Sequence, residues 1–116
     1  MAIEITGRHI SVTDSMRDYA MRKAKNAVGE FPQVENVHII LDVQKYRQIA
    51  EIVVQGKAHL RLEARESSED MYASIDKVMD KIERQLHKSW EKKTDKRHRP
   101  GARDLEETIG NESKDA

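Results

Sequence analysis

Basic side chains recur at helical spacing in the C-terminal half of this 116-residue chain. Lys77, Lys81, Arg84, Lys88 and Lys92 share one arc of a helical wheel drawn at about 100° per residue. Like charges at i,i+4 repel by a few tenths of a kcal/mol each, and an anionic partner would relieve that repulsion. Backbone phosphate of nucleic acid is the natural ligand of such a stripe. For the stripe taken alone, a solvated charged face is an equally weighted alternative.

A second group of cations falls on the predicted first helix. Arg22 and Lys25 lie away from the apolar stripe of that helix, and Lys23 lies at its edge. Two helices on one sheet face would then offer a broad basic surface. The chain has one Phe, one Trp and three Tyr without clustering, whereas proteins that stack unpaired bases present clustered aromatic side chains. The expected ligand is therefore folded RNA, recognised by shape.

No pattern in the sequence predicts a catalytic, metal or cofactor site. The five histidines form no His-x-x-x-His pair, and the chain has no cysteine. Asp70, Asp76 and Asp80 resemble carboxylate pairs, but capping and solvation of a helix flank explain them more simply. The glycines stand too far apart for a phosphate-binding loop. We expect a protein without enzymatic activity, metal, cofactor or small-molecule substrate.

Alternating apolar residues predict four strands. These strands lie near residues 3–7, 37–44, 50–56 and 60–65. With two helices they give the order β-α-β-β-β-α. This order predicts an α+β fold, in which a four-stranded sheet carries both helices on one face and a right-handed first crossover joins parallel strands.

Capping residues and apolar spacing predict the two helices. The first is expected over residues 14–28, with Thr13 as its N-cap. The second is expected to begin after a cap at Ser67 or Ser68 and to end near Lys93. Its buried seam is predicted to contain Met71, Ile75, Val78, Met79, Ile82, Leu86 and Trp90.

Charge is balanced overall but unevenly distributed. Lys plus Arg and Asp plus Glu both number 21, which argues against a protein that coats nucleic acid by bulk charge alone. We expect one domain over residues 1–93 and a flexible charged tail over 94–116, which has little to bury and ends acidic. No signal peptide or membrane-length apolar run appears, so a cytoplasmic protein without membrane contact is expected.

Two stretches carry a family resemblance. Residues 69–76, Glu-Asp-Met-Tyr-Ala-Ser-Ile-Asp, continue into 80–86, Asp-Lys-Ile-Glu-Arg-Gln-Leu, and Lys88. This block closely resembles the second-helix signature of the ribosome hibernation promoting factor family. Residues 5–9 and 12–19 resemble the first strand and helix start of that family. The resemblance runs collinearly over about residues 1–93.

The resemblance implies a fold similar to double-stranded-RNA-binding domains, bound between head and body of the small ribosomal subunit. There, family members overlap the positions of messenger RNA and of transfer RNA in the aminoacyl and peptidyl sites, and basic helix residues contact ribosomal RNA. The matching positions are Arg22, Lys23, Lys25, Lys77, Lys81, Arg84, Lys88 and Lys92. Arg8 is a further candidate, and Tyr72 is evenly balanced between packing and RNA contact. The acidic tail favours the short members associated with inactive single ribosomes, and the protein is expected to be monomeric off the ribosome.

Two other function classes remain open from the residues. A free double-stranded-RNA-binding module would use the same helix cations on naked duplex. An interaction protein would dock a partner through the acidic segment that follows Arg103. A metal-dependent enzyme is a distant further alternative.

Overall fold

The computed structural model describes the backbone of residues 1–98 and the side chains of residues 1–89. The elements along the chain are β1 (Ala2–Arg8), α1 (Asp14–Val28), β2 (Val34–Gln44), β3 (Arg47–Gly56), β4 (Leu60–Ser68) and α2 (Met71–His98). This order confirms the predicted β-α-β-β-β-α sequence of elements.

The four strands form one sheet in the order β1-β2-β3-β4. β1 pairs with β2 in parallel, as predicted for a helical crossover, with Ile5 opposite Ile39. The other two pairings are antiparallel, and Ile52 of β3 lies opposite both Ile39 of β2 and Ala64 of β4. Ile5, Ile39, Ile52 and Ala64 therefore form one row across the sheet, on the face that enters the core.

A single core joins that sheet face to both helices. Ile39, Leu41 and Ile52 are fully buried in the same cluster as Ala20 and Ala24 of α1 and the seam of α2. Two helices thus pack on one face of the sheet, as predicted. Along β2 the alternate positions point to the other face, which no helix covers within the described part of the chain.

The first helix has the predicted bounds. The Thr13 hydroxyl accepts a hydrogen bond from the Met16 amide at 3.1 Å, which satisfies one of the unpaired donors of the first turn. Gly29 follows the last turn and donates its amide to the Lys25 carbonyl at 2.9 Å. Ala20, Ala24 and Ala27 are buried, and these small side chains let the helix axis approach the sheet.

The second helix differs from the prediction at both ends. Ser67 and Ser68 belong to β4, and the cap is Asp70, whose carboxylate accepts from the Ala73 amide at 3.0 Å. The cap prediction was wrong because strand pairing with Gln48 and Ile49 extends β4 through both serines. The helix continues to His98, beyond the predicted end near Lys93, since neither glycine nor proline interrupts residues 94–98. The rest of the predicted tail, and the side chain of Trp90 from the predicted seam, lie outside the described residues.

Residues Met1–Leu86 form one compact unit, and the part of α2 from His87 onward belongs to a second unit. None of the helices in the described part of the chain is both long and apolar enough to span a membrane.

Candidate nucleic-acid interface

The outer side of α2 carries the predicted basic stripe. Packing of Ile75, Val78 and Ile82 against the core sets the rotation of the helix, because these three side chains are fully buried. Lys77 and Arg84 consequently point to solvent. Neither forms an ion pair within the part of the chain that the structure describes. Both cations are therefore available to an external anion.

Lys81 occupies the edge of the stripe nearest to the sheet. Its ammonium lies 3.2 Å from the Glu66 carboxylate of β4, and 44% of its side chain is exposed. Such a half-exposed pair contributes between about 0 and 1 kcal/mol, so a phosphate can replace Glu66 at small cost. Lys81 is part of the basic surface, although its charge is partly balanced in the free protein.

An acidic line, formed by Asp76, Asp80 and Glu83, runs beside the stripe on α2, and Asp76 lies on the side that meets α1. Asp76 is its best-defined member. The Tyr19 hydroxyl donates a hydrogen bond to the Asp76 carboxylate at 2.6 Å, and the Lys23 ammonium lies 3.4 Å from the same oxygen. The ring of Tyr72 packs edge-on against the ring of Tyr19 at 5.0 Å. We call Tyr19, Lys23, Tyr72 and Asp76 the interhelix clamp.

The clamp accounts for two residues of the signature block. Tyr72, which the sequence left open between packing and RNA contact, packs on Tyr19, and Asp76 holds the two helices together. The hydrogen bond to Asp76 raises the pKa of Tyr19 above its ordinary value, because the carboxylate favours the protonated phenol. Both signature residues therefore have a structural role before any ligand is considered.

The cations of α1 are arranged differently from one another. Arg22 and Lys25 are exposed, and the Arg22 guanidinium lies 5.4 Å from the centre of the Tyr19 ring. Lys23 is turned into the clamp. The broad basic surface expected from the sequence is therefore divided. One cationic surface lies on α2 and another on α1, and the acidic line that includes Asp76 lies between them.

Arg8 lies apart from the helix cations. Alternation along β1 turns Ile3 and Ile5 toward the core and Arg8 toward the opposite face of the sheet. There its guanidinium lies 3.6 Å from the Asp42 carboxylate and 3.5 Å from that of Glu51. The structure does not bring Arg8 together with the helix surfaces.

Asp42 is a buried carboxylate that the sequence did not single out. It is 1% exposed and accepts hydrogen bonds from the Val43 amide at 2.8 Å and the Gln44 side chain at 3.3 Å. His9 Nδ1 lies 2.9 Å from the same carboxylate. The hydrogen bond with His9 is the largest cause of the lowered pKa of Asp42. The available signal was an acid inside the run Ile39-Ile40-Leu41-Asp42-Val43, whose other residues are all apolar.

The remaining two predicted cations lie further along α2. Lys88 is exposed and belongs to the unit that begins at His87. The side chain of Lys92 lies outside the described residues.

Comparison with known proteins places this architecture among ribosome-associated proteins. Residues 3–94 match the family model described as Sigma 54 modulation protein / S30EA ribosomal protein. The ribosome hibernation promoting factor of Pseudomonas putida is 38% identical over 92 residues, which cover 79% of this chain and 89% of that protein.

Two solved structures are also similar to this chain. A ribosomal subunit interface protein from Coxiella burnetii has a TM-score of 0.74 and 27% identity, covering 78% of this chain and 99% of that one. The N-terminal domain of Protein Y from Thermus thermophilus has a TM-score of 0.69 and 27% identity, covering 77% and 99% of the two chains.

Proposed function

Because this chain belongs to the Sigma 54 modulation protein / S30EA ribosomal protein family, we propose that it is a ribosome hibernation factor. It binds the small ribosomal subunit at the decoding region, where messenger RNA and the aminoacyl and peptidyl transfer RNAs would otherwise lie. Occupation of that region blocks translation and keeps the ribosome in an inactive, stable form. The protein acts in the cytoplasm and is monomeric off the ribosome.

The observation that carries this proposal is the outward basic stripe of α2. Lys77 and Arg84 face solvent, and Lys81 exchanges a weak surface partner for phosphate. Each cation that neutralises a phosphate releases condensed counterions, which supplies affinity without reading sequence. Such a stripe suits folded RNA with closely spaced phosphates better than it suits an apolar protein surface.

The separation of the cations into one surface on α2 and another on α1 supports contact with two phosphate backbones. The α2 surface meets one backbone, and Arg22 and Lys25 of α1 meet a second. The acidic line that includes Asp76 would lie between the two backbones, where it repels any phosphate that enters the groove between the helices. Lys23 acts mainly by neutralising that line. Lys88 and Lys92, which the family resemblance also marks, are further proposed RNA contacts, and Arg8 makes a separate contact from the other sheet face.

We assign ribosome binding to residues 1–93, the span that the family resemblance covers. The region after Lys93 is proposed to adjust whether ribosomes remain single or pair. Sucrose-gradient profiles with the full chain and with residues 104–116 deleted would test that role. Identical profiles would remove the tail from the mechanism.

Cosedimentation with purified small subunits at several salt concentrations tests the proposal. Reversal of Lys77 and Arg84 to Glu removes two phosphate contacts, so binding should weaken at every salt concentration. The slope of log affinity against log salt should fall by about 1.5 to 2. Lys57→Glu with Arg61→Glu is the control for equal charge change, since both residues are exposed, although Arg61 also pairs with Glu63 at 2.6 Å. Equal binding by the two double variants would contradict the proposal.

Binding to a naked RNA duplex, measured in the same assay, distinguishes the proposed function from a second candidate. Two helices on one sheet face with an exposed cationic surface would also suit a free double-stranded-RNA-binding module. That module binds naked duplex and small subunits with comparable affinity. A hibernation factor strongly prefers the intact subunit.

A further inference from the structure

The β2–β3 hairpin presents an aromatic ring to solvent. Tyr46, the second residue of its two-residue turn, is 86% exposed. Among residues 1–89, Met1 and Tyr46 are the exposed large hydrophobic residues, and Met1 lies at the chain terminus. An aromatic side chain left in water on a structured turn is therefore an exception among the described side chains.

The turn that carries Tyr46 is fixed by strand pairing at its base and by one hydrogen bond to β4. Strand pairing continues to Gln44 opposite Arg47, so the turn contains only Lys45 and Tyr46. The Arg47 guanidinium donates to the Ser67 hydroxyl of β4 at 3.0 Å. Lys45 adopts a left-handed conformation with φ of 56°, which a non-glycine residue adopts only where its surroundings impose it. The ring is presented by a short, well-supported turn.

The charges beside the ring are both positive. Lys45 and Arg47 are exposed on either side of Tyr46, and along β2 and β3 the nearest acids in sequence are Asp42 and Glu51. On the neighbouring strand the register continues from Ser68 toward the exposed Glu69, beside Arg47 and not beside Lys45. Asp42 is buried, and Glu51 is paired with Arg8 and Arg65. A planar π surface between two cations complements a ligand that combines a planar ring with phosphates. Unpaired RNA has this chemistry, because every base offers a π face between backbone phosphates.

We propose that the tip formed by Lys45, Tyr46 and Arg47 is a second RNA contact. Tyr46 stacks on an unpaired nucleobase, and Lys45 and Arg47 bind the phosphates that flank it. This contact rests on the proposed function and adds to it a site for a single-stranded base, distinct from the duplex-like backbone contacts of the helices. It also goes beyond the expectation from composition, which was folded RNA recognised by shape.

Binding of Tyr46 variants to purified small subunits tests the contact. Tyr46→Phe keeps the π face and should bind within about twofold of the unmodified chain. Tyr46→Ala and Tyr46→Leu should each bind about 5- to 100-fold more weakly, the range for loss of one stacked base. The salt slope should be unchanged in all three, because tyrosine carries no charge. Unchanged urea midpoints would show that the fold is intact.

Chemical probing of the ribosomal RNA with dimethyl sulfate locates the base. One unpaired position should be protected by the unmodified chain and by Tyr46→Phe, and should react again with Tyr46→Ala. Normal binding by Tyr46→Leu would overturn stacking and indicate an apolar contact with a ribosomal protein. Normal binding by Tyr46→Ala, with binding still lost on reversal of Lys77 and Arg84, would overturn this contact alone. Failure of the unmodified chain to bind small subunits would remove the proposed function and this contact together.

Discussion

Removal of the interhelix clamp should destabilise the protein without weakening RNA binding. The variants Tyr19→Phe, Asp76→Ala and the double variant form a thermodynamic cycle around the 2.6 Å hydrogen bond. Tyr19→Phe removes only the donor hydroxyl, and Asp76→Ala removes the acceptor and the partner of Lys23. The cycle therefore isolates the coupling between the phenol and the carboxylate.

The magnitude follows from the exposure of the partners. Hydrogen bonds to charged groups contribute about 1.5 to 3 kcal/mol to the free energy of unfolding, but 46% of the Asp76 side chain is exposed. We therefore expect a coupling energy of about 1 kcal/mol, below that range, because solvent screens the half-exposed carboxylate. The half-exposed pair with Lys23 adds at most about 0.5 kcal/mol to the cost of Asp76→Ala. The total loss for that variant is about 1 to 1.5 kcal/mol.

Urea unfolding followed by circular dichroism measures these energies. With a slope of about 1 to 1.5 kcal/mol per molar urea for a small domain, Asp76→Ala should lower the midpoint by roughly 0.7 to 1.5 M. Asp80→Ala is the matched control, since Asp80 is an exposed acid on the same helix. It should change the free energy of unfolding by less than about 0.5 kcal/mol.

The pH dependence gives an independent check on the clamp. The pKa of Tyr19 is raised in the folded state, so its stabilising hydrogen bond is fully present below about pH 10, the ordinary phenol value. That contribution is lost as pH rises through the folded pKa. The stability difference between the unmodified chain and Tyr19→Phe should therefore shrink in strongly alkaline solution.

Two results would refute this account of the clamp. A coupling energy near zero would show that Tyr19 and Asp76 do not stabilise each other. Weaker binding of Asp76→Ala to small subunits, measured where the variant is fully folded, would show that Asp76 contacts RNA directly. Removal of an acid beside the basic stripe should instead leave binding equal or slightly stronger.

Other predictions concern the core, a close backbone approach and acid stability. Ile82→Ala should lower the free energy of unfolding by about 2 to 5 kcal/mol in urea titrations, because Ile82 is fully buried; a loss below 1 kcal/mol would contradict its place in the core. Gly56→Ala should lower the melting temperature in calorimetry, since a Cβ there would overlap the Gln33 carbonyl oxygen. The lowered pKa of Asp42 makes its contribution full above about pH 4, and that contribution is lost as pH falls through the folded pKa. His9→Ala should narrow the pH range over which the contribution of Asp42 is lost. Urea midpoints measured at a series of pH values would show this change.

Local features of the sequence predicted most of the fold. The bounds of α1 follow from Thr13 and Gly29, because a cap and a stop act within one turn. Apolar alternation located all four strands. The boundary between β4 and α2 was misplaced, since Ser67 and Ser68 are good caps that cross-strand pairing draws into the sheet. Capping preference is local, and strand pairing with a distant segment outweighed it.

In the candidate interface, too, some side-chain positions follow from local sequence and others from contacts with distant segments. The sequence by itself determined that Lys77 and Arg84 face away from the buried seam, because helical periodicity relates side chains on one element. Only the tertiary structure decided that Lys23 turns into a clamp with Asp76, that Arg8 lies on the opposite sheet face, and that Tyr46 stands in solvent. Those outcomes depend on strand register and helix docking, which bring together residues more than thirty positions apart, as for His9 and Asp42. Periodicity carries no information about which distant element a side chain will meet.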